Sequence, residues 1–134
     1  MNRDGYLVDL IKPIRSPPWQ AEAEMIGKDP NDLLATEIEG LAWHESAPSF
    51  EAVAIDEKGE PLWIVATDPR VWAAHKLWLS NRKDRAPLKR RRDEAQGRVV
   101  ARLVVQYMPH LPFASEELRM LPKDVVDAAA PLFR

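Results

Sequence analysis

The sequence contains no cysteine. That excludes disulfides, thiolate zinc sites and cysteine nucleophiles. Its five glycines are scattered, with neither a Gly-rich phosphate loop nor a G-x-S-x-G elbow among them. The three histidines, His44, His75 and His110, lack metal-ligand spacing, and there is no H-E-x-x-H. No apolar run approaches the roughly 18 residues needed to cross a bilayer. No apolar stretch of signal-peptide length follows residues 1–5. A cytoplasmic domain is therefore expected. A net charge of −2 gives no global electrostatic case for a nucleic-acid partner.

What is present is a globular composition: 134 residues, 46% hydrophobic and 30% charged, enough for one domain with a real core. Five tryptophans supply large apolar anchors. A single domain over residues 1–134 is expected, strand-rich over 1–66 and helical over 67–134, of class α+β with a small mixed or antiparallel sheet.

Residues 6–11, Tyr-Leu-Val-Asp-Leu-Ile, read as a strand stopped by Lys12 and Pro13. Residues 13–32 carry Pro13, Pro17, Pro18, Gly27 and Pro30 and read as loop, with a short helical stretch near 21–25. Asp29 and Pro30 can begin a short helix ending near Gly40. Residues 41–43 read as a short strand. Residues 50–55 and 62–66 form a β-hairpin around a turn at 56–59 with a late glycine. The strand at 6–11 is expected to pair with part of this hairpin. Asp68 or Thr67 caps a helix with Pro69 at its first position, running to about Ser80. Pro87 breaks the basic connector that follows. A longer helix spans about 89–107, with Ala95, Val99, Leu103 and Tyr107 on one stripe at helical spacing. A capped short helix at 115–118 and a last helix over 122–132 close the pass.

Three features bear on chemistry. Asp9 shares a strand face with Leu7 and Ile11, where a carboxylate is costly to bury without a partner. It is either an exposed edge residue, a partner of a nearby arginine, or a functional carboxylate. The helix over 69–80 is apolar on nearly every side, as a central helix is, and Trp72 and Trp78 are expected to be at least half-buried on it. His75 and Lys76 are its polar exceptions, read either as a bonded core histidine and a snorkelling lysine or as an ammonium aimed at an anionic ligand. Arg82, Lys83, Arg85, Lys89, Arg90, Arg91 and Arg92 form a basic run broken by Asp84. The run is either a solvated surface or a phosphate-binding one, and it lacks the interleaved aromatics that stack bases.

Three segments together carry a resemblance: residues 5–13 (GYLVDLIKP), residues 50–56 (FEAVAID) with Gly59 and Pro61, and residues 68–80 (DPRVWAAHKLWLS), continuing into Arg92-Asp93-Glu94-Ala95-Gln96. The chain resembles the C-terminal part of a bacterial family of nucleotidyltransferase-fold proteins, over residue 5 to about residue 126. The resemblance implies a site in which three carboxylates hold two divalent metals, Mg²⁺ or Mn²⁺. The metals position a nucleoside triphosphate and activate an acceptor hydroxyl. Asp9 matches the third carboxylate and is implied as catalytic and metal-binding. Lys76, Arg92 and Asp93 are implied around the substrate phosphates, with Asp93 either orienting Lys76 or belonging to the same polar cluster. Only eight residues precede Asp9, and the Gly-Ser turn and Asp-x-Asp pair of the family are not among them. The expectation is a nucleotidyl transfer unit that is inactive alone, and that self-associates or binds a chain supplying the missing half. The alternative is a non-catalytic interaction module that keeps part of the fold. A nucleic-acid binder using residues 82–92 fits only that run.

Overall fold

The computed structural model describes residues 10–14 and 35–134. The architecture is α+β: two small two-stranded sheets followed by a helical C-terminal half. The chain forms two compact units, residues 1–42 and 43–134, described separately below. Among the described residues no helix is long and apolar enough to cross a membrane.

In the first unit, β1 (Leu10–Pro13) pairs in parallel with β2 (Ala35–Ile38), in the register Leu10↔Ala35 to Pro13↔Ile38. Opposite charges face each other in the ladder, with Lys12 Nζ 3.4 Å from Glu37 Oε1. This corrects three expectations. The strand runs on through Lys12 and Pro13, because Pro13 closes it as the last residue and interrupts no bond further on. Among the described residues its partner is β2 and not the hairpin. Residues 35–38 are a strand where the end of a helix was expected, since Thr36 and Ile38 are β-branched and suit a ladder. Residues 6–9 of the expected strand, Asp9 included, and the stretches at 21–25 and 29–34 lie outside the described residues.

Gly40, at φ 82°, takes the left-handed conformation that redirects the chain after β2. The chain then enters α1 (Leu41–Ser46), so residues 41–43 are helical where a short strand was expected. In the second unit, helix geometry lets Trp43 and His44 both reach α2, Trp43 edge-on to Trp78 and His44 to His75.

The hairpin forms as expected. β3 (Ser49–Ile55) and β4 (Pro61–Thr67) pair antiparallel, from Ser49↔Thr67 to Ile55↔Pro61. Asp56 builds the turn: its Oδ1 accepts from the backbone N–H of Lys58 and of Glu60, each at 2.8 Å. Gly59 takes φ 86° there. Burial alternates along β3, with Phe50, Ala52 and Ala54 half-buried and Glu51, Val53 and Ile55 exposed.

α2 (Pro69–Asn81) starts where expected, with Asp68 as its cap accepting from Arg70 N–H at 2.8 Å and Pro69 at the first position. It is the central helix. Val71, Ala74 and Leu77 join Leu118, Leu121, Val125 and Ala129 in the core, and Trp72 and Trp78 are half-buried. α3 (Pro87–Tyr107) begins two residues earlier than expected, because Pro87 serves as its first residue and not as a breaker. A 3₁₀ turn at Glu116–Leu118, capped by Ser115, leads to α4 (Lys123–Ala129) and a final 3₁₀ turn at Ala130–Phe133.

The apolar stripe of α3 faces away from the core. Its buried residues are Asp93, Gly97, Ala101 and Val104. Val99, Leu103 and Tyr107 are 59%, 44% and 65% exposed, and Ala95 is exposed too. Close approach decides the orientation. A Cβ on Gly97 would lie 3.0 Å from the Ala73 carbonyl oxygen and 3.3 Å from Lys76 Cβ. Only a glycine lets the two backbones meet so closely, and the small face of α3 therefore turns inward.

Candidate functional site

One helical turn before that contact sits Asp93, fully buried. Its Oδ1 accepts from Lys76 Nζ at 2.9 Å and its Oδ2 from Arg85 Nε. α2 supplies Lys76, α3 supplies Asp93, and the connector between the helices supplies Arg85. The ammonium also lies 5.2 Å from the centre of the Trp72 ring, a cation–π distance. Burial pushes the Asp93 carboxyl up, but the hydrogen bonds from Arg85 and Lys76 and their charges outweigh it. The group stands below its ordinary value. The carboxylate is thus ionised and carries two cations, leaving the cluster one positive charge in excess.

Neither cation is sealed in. The side chains of Lys76 and Arg85 are 19% and 27% exposed. Lys76 has three N–H donors and Arg85 five, and each gives one to Asp93. The cluster can therefore offer several fixed donors and net positive charge to an anion at the surface.

Of the residues implied by the resemblance, Lys76 and Asp93 are brought together. Arg92 is not in the cluster: it is exposed on α3. Asp9 lies outside the described residues. Arg85 is the addition. Its place in the basic run was visible, but its partner, eight residues on, was not. The rest of the run divides. Arg82 makes a two-point contact with Asp84, Nε to Oδ1 at 2.9 Å and Nη2 to Oδ2 at 2.6 Å, and lies over the Trp78 ring. Lys83, Lys89, Arg91 and Arg92 have no carboxylate partner among the described residues.

Two further polar clusters serve packing. Arg70 is fully buried. Its guanidinium donates to both Asp68 oxygens, to Glu117 Oε2 at 2.9 Å and to the Pro112 carbonyl at 2.9 Å. Sequence reasoning missed it, since these bonds join the helix cap to a loop over forty residues away. Beside α1, His44 Nε2 and His75 Nδ1 are 2.6 Å apart in a nest with Trp43 and Trp78. Burial, helped by the charge of Lys76, holds His44 below its ordinary value, so the neutral imidazole is favoured. This agrees with the reading of His75 as a bonded core histidine.

A divalent metal does not fit these residues. No group of three or more His, Asp or Glu side chains gathers among the described residues, and both oxygens of Asp93 are occupied by cations.

Residues 1–121 match a family model described as nucleotidyltransferase. No curated protein and no solved structure matches the chain.

Proposed function

The chain belongs to the nucleotidyltransferase family, and on that premise we propose that it forms part of a site transferring a nucleotidyl group from a nucleoside triphosphate to an acceptor hydroxyl. Lys76 and Arg85 hold the triphosphate, and Asp93 is their positioning residue. The single observation that carries this is the buried carboxylate binding two part-exposed cations. Phosphoryl chemistry asks a protein mainly for position and charge, because negative charge must be neutralised as the pyrophosphate leaves. Cations fixed by a buried anion meet that need without reorganising. The carboxylates holding Mg²⁺ or Mn²⁺ lie beyond the described residues: Asp9 is one, and a partner chain supplies the pair. Residues 1–134 contain no Gly-Ser dipeptide and no Asp-x-Asp.

Equilibrium dialysis with a labelled nucleoside triphosphate tests the reading. Saturable binding is expected, and Lys76→Met should weaken it at least about tenfold, the worth of one charge-assisted hydrogen bond. Unchanged binding in Lys76→Met contradicts the assignment. With Mg²⁺ or Mn²⁺ added, the chain alone should transfer no label. Transfer that disappears in Asp9→Asn would show instead that the site is complete in one chain. A second reading, a non-catalytic interaction module, is favoured by the exposed apolar face of the hairpin.

A further inference from the structure

Strand β4 exposes large apolar side chains on both sides of the hairpin, Leu62 and Ile64 on the side of half-buried Phe50, Ala52 and Ala54, and a second set on the outer face, which nothing among the described residues covers. Val53 and Ile55 of β3 and Trp63 and Val65 of β4 share that outer face through the register Val53↔Trp63 and Glu51↔Val65. They are 57%, 66%, 62% and 62% exposed. An isolated two-stranded hairpin is marginal in water, and a contiguous apolar face of this kind marks an interaction surface. Its border is acidic. Residues 49–61 hold Glu51, Asp56, Glu57 and Glu60 against the single cation Lys58.

The second feature is the outward face of α3. Leu88 (81% exposed), Val99 (59%) and Leu103 (44%) line it, and Arg91 and Arg102 stand exposed on the same side. Residues 82–102 carry nine cations against three carboxylates. Beside this face an apolar groove of about 280 Å³ runs between α2 and α3, lined by Trp72, Ala95, Gln96, Val99 and Val100. So the molecule bears an apolar face with an acidic border, and an apolar groove with a basic border.

We propose that the hairpin face of one copy docks on the α3 face of a second copy, with Trp63 entering the groove beside Trp72. Charge complementarity selects the occupant: each surface finds in the other both its apolar contact and its counter-charges. The chain's own hairpin does not fill the groove, since Trp63 is 62% exposed in the single chain. Two such contacts made reciprocally close a dimer, and one alone extends into a longer assembly. The inference is tested apart from the nucleotide reading: the groove shares Trp72 with the cation–π contact of Lys76, but none of the residues substituted below belongs to the Lys76–Asp93–Arg85 cluster.

Sedimentation velocity on the full chain at micromolar concentration is the test, with circular dichroism confirming that each variant is folded. The wild-type chain should associate, and more weakly as salt rises. Glu51→Lys with Glu60→Lys should weaken association at least about tenfold, and so should Arg91→Glu with Arg102→Glu, because each puts like charges across the contact. Mixing the two doubly substituted proteins should restore it. Trp63→Ser should abolish it in every combination. A monomeric wild type overturns the proposal. So does association that survives either charge reversal, or a mixture of the two variants that stays monomeric.

Discussion

Asp93→Asn is expected to lower the unfolding free energy by about 3–5 kcal/mol, the cost of removing one partner from a buried ion pair. The substitution keeps the shape of the side chain and removes its charge. Lys76 and Arg85 are then left side by side at the α2–α3 contact with no anion between them. Urea unfolding followed by tryptophan fluorescence measures the loss, the signal being summed over the five tryptophans. Acid dependence gives an independent check. The carboxyl of Asp93 is held below its ordinary value in the folded chain, so the unfolded chain takes up the proton first as pH falls. The stabilisation is therefore complete above about pH 4, the ordinary aspartate range, and disappears as pH drops through the lower folded value. Asp93→Asn should remove that part of the acid sensitivity. If the Asp93→Asn variant were as stable as the wild type at neutral pH, the cluster would be solvated and not built around its carboxylate.

Arg70→Met is expected to cost as much, about 3–5 kcal/mol, by the same mechanism at the other end of α2. Methionine fills a similar volume, so the loss is electrostatic. Asp68, 4% exposed in its side chain, keeps its bond to the backbone N–H of residue 70 but loses the guanidinium. The Pro112 carbonyl loses its donor as well. The fork of Arg70 reaches three partners in different directions, and a lysine has no such geometry. Arg70→Lys should therefore recover little of the loss. Thermal unfolding of the three proteins side by side checks both points, and full rescue by lysine would refute the fork as the reason for an arginine here.

The elements that were legible in the sequence are those with local causes. The hairpin turn is written in Asp56 and Gly59, and the start of α2 in Asp68 and Pro69, because those side chains act on backbone two to four residues away. What depends on a distant partner was not legible. β1 pairs with β2 across more than twenty residues of chain, and no local signal distinguishes that partner from the hairpin. The inward face of α3 was not legible for a different reason. Hydrophobic spacing picks out Ala95, Val99, Leu103 and Tyr107, yet steric fit at Gly97 and Ala101 and the ion pairs of Asp93 decide which side turns inward. In the candidate site, Lys76 and Asp93 were visible through the resemblance of their segments. Arg85 was hidden in a run of cations, because sequence does not say which cation a buried carboxylate will take.

The central claim is that Lys76 and Arg85, held by Asp93, meet the phosphates of a nucleotide. Nitrogen-15 NMR of the lysine Nζ and arginine Nε signals, followed while a nucleoside triphosphate is titrated into the full chain, addresses it most directly. Saturable shifts are expected at Lys76 and Arg85, with Arg98, paired to Glu94 on the outer surface, left unmoved. Shifts spread evenly over the exposed cations, with Lys76 and Arg85 unchanged, would contradict it.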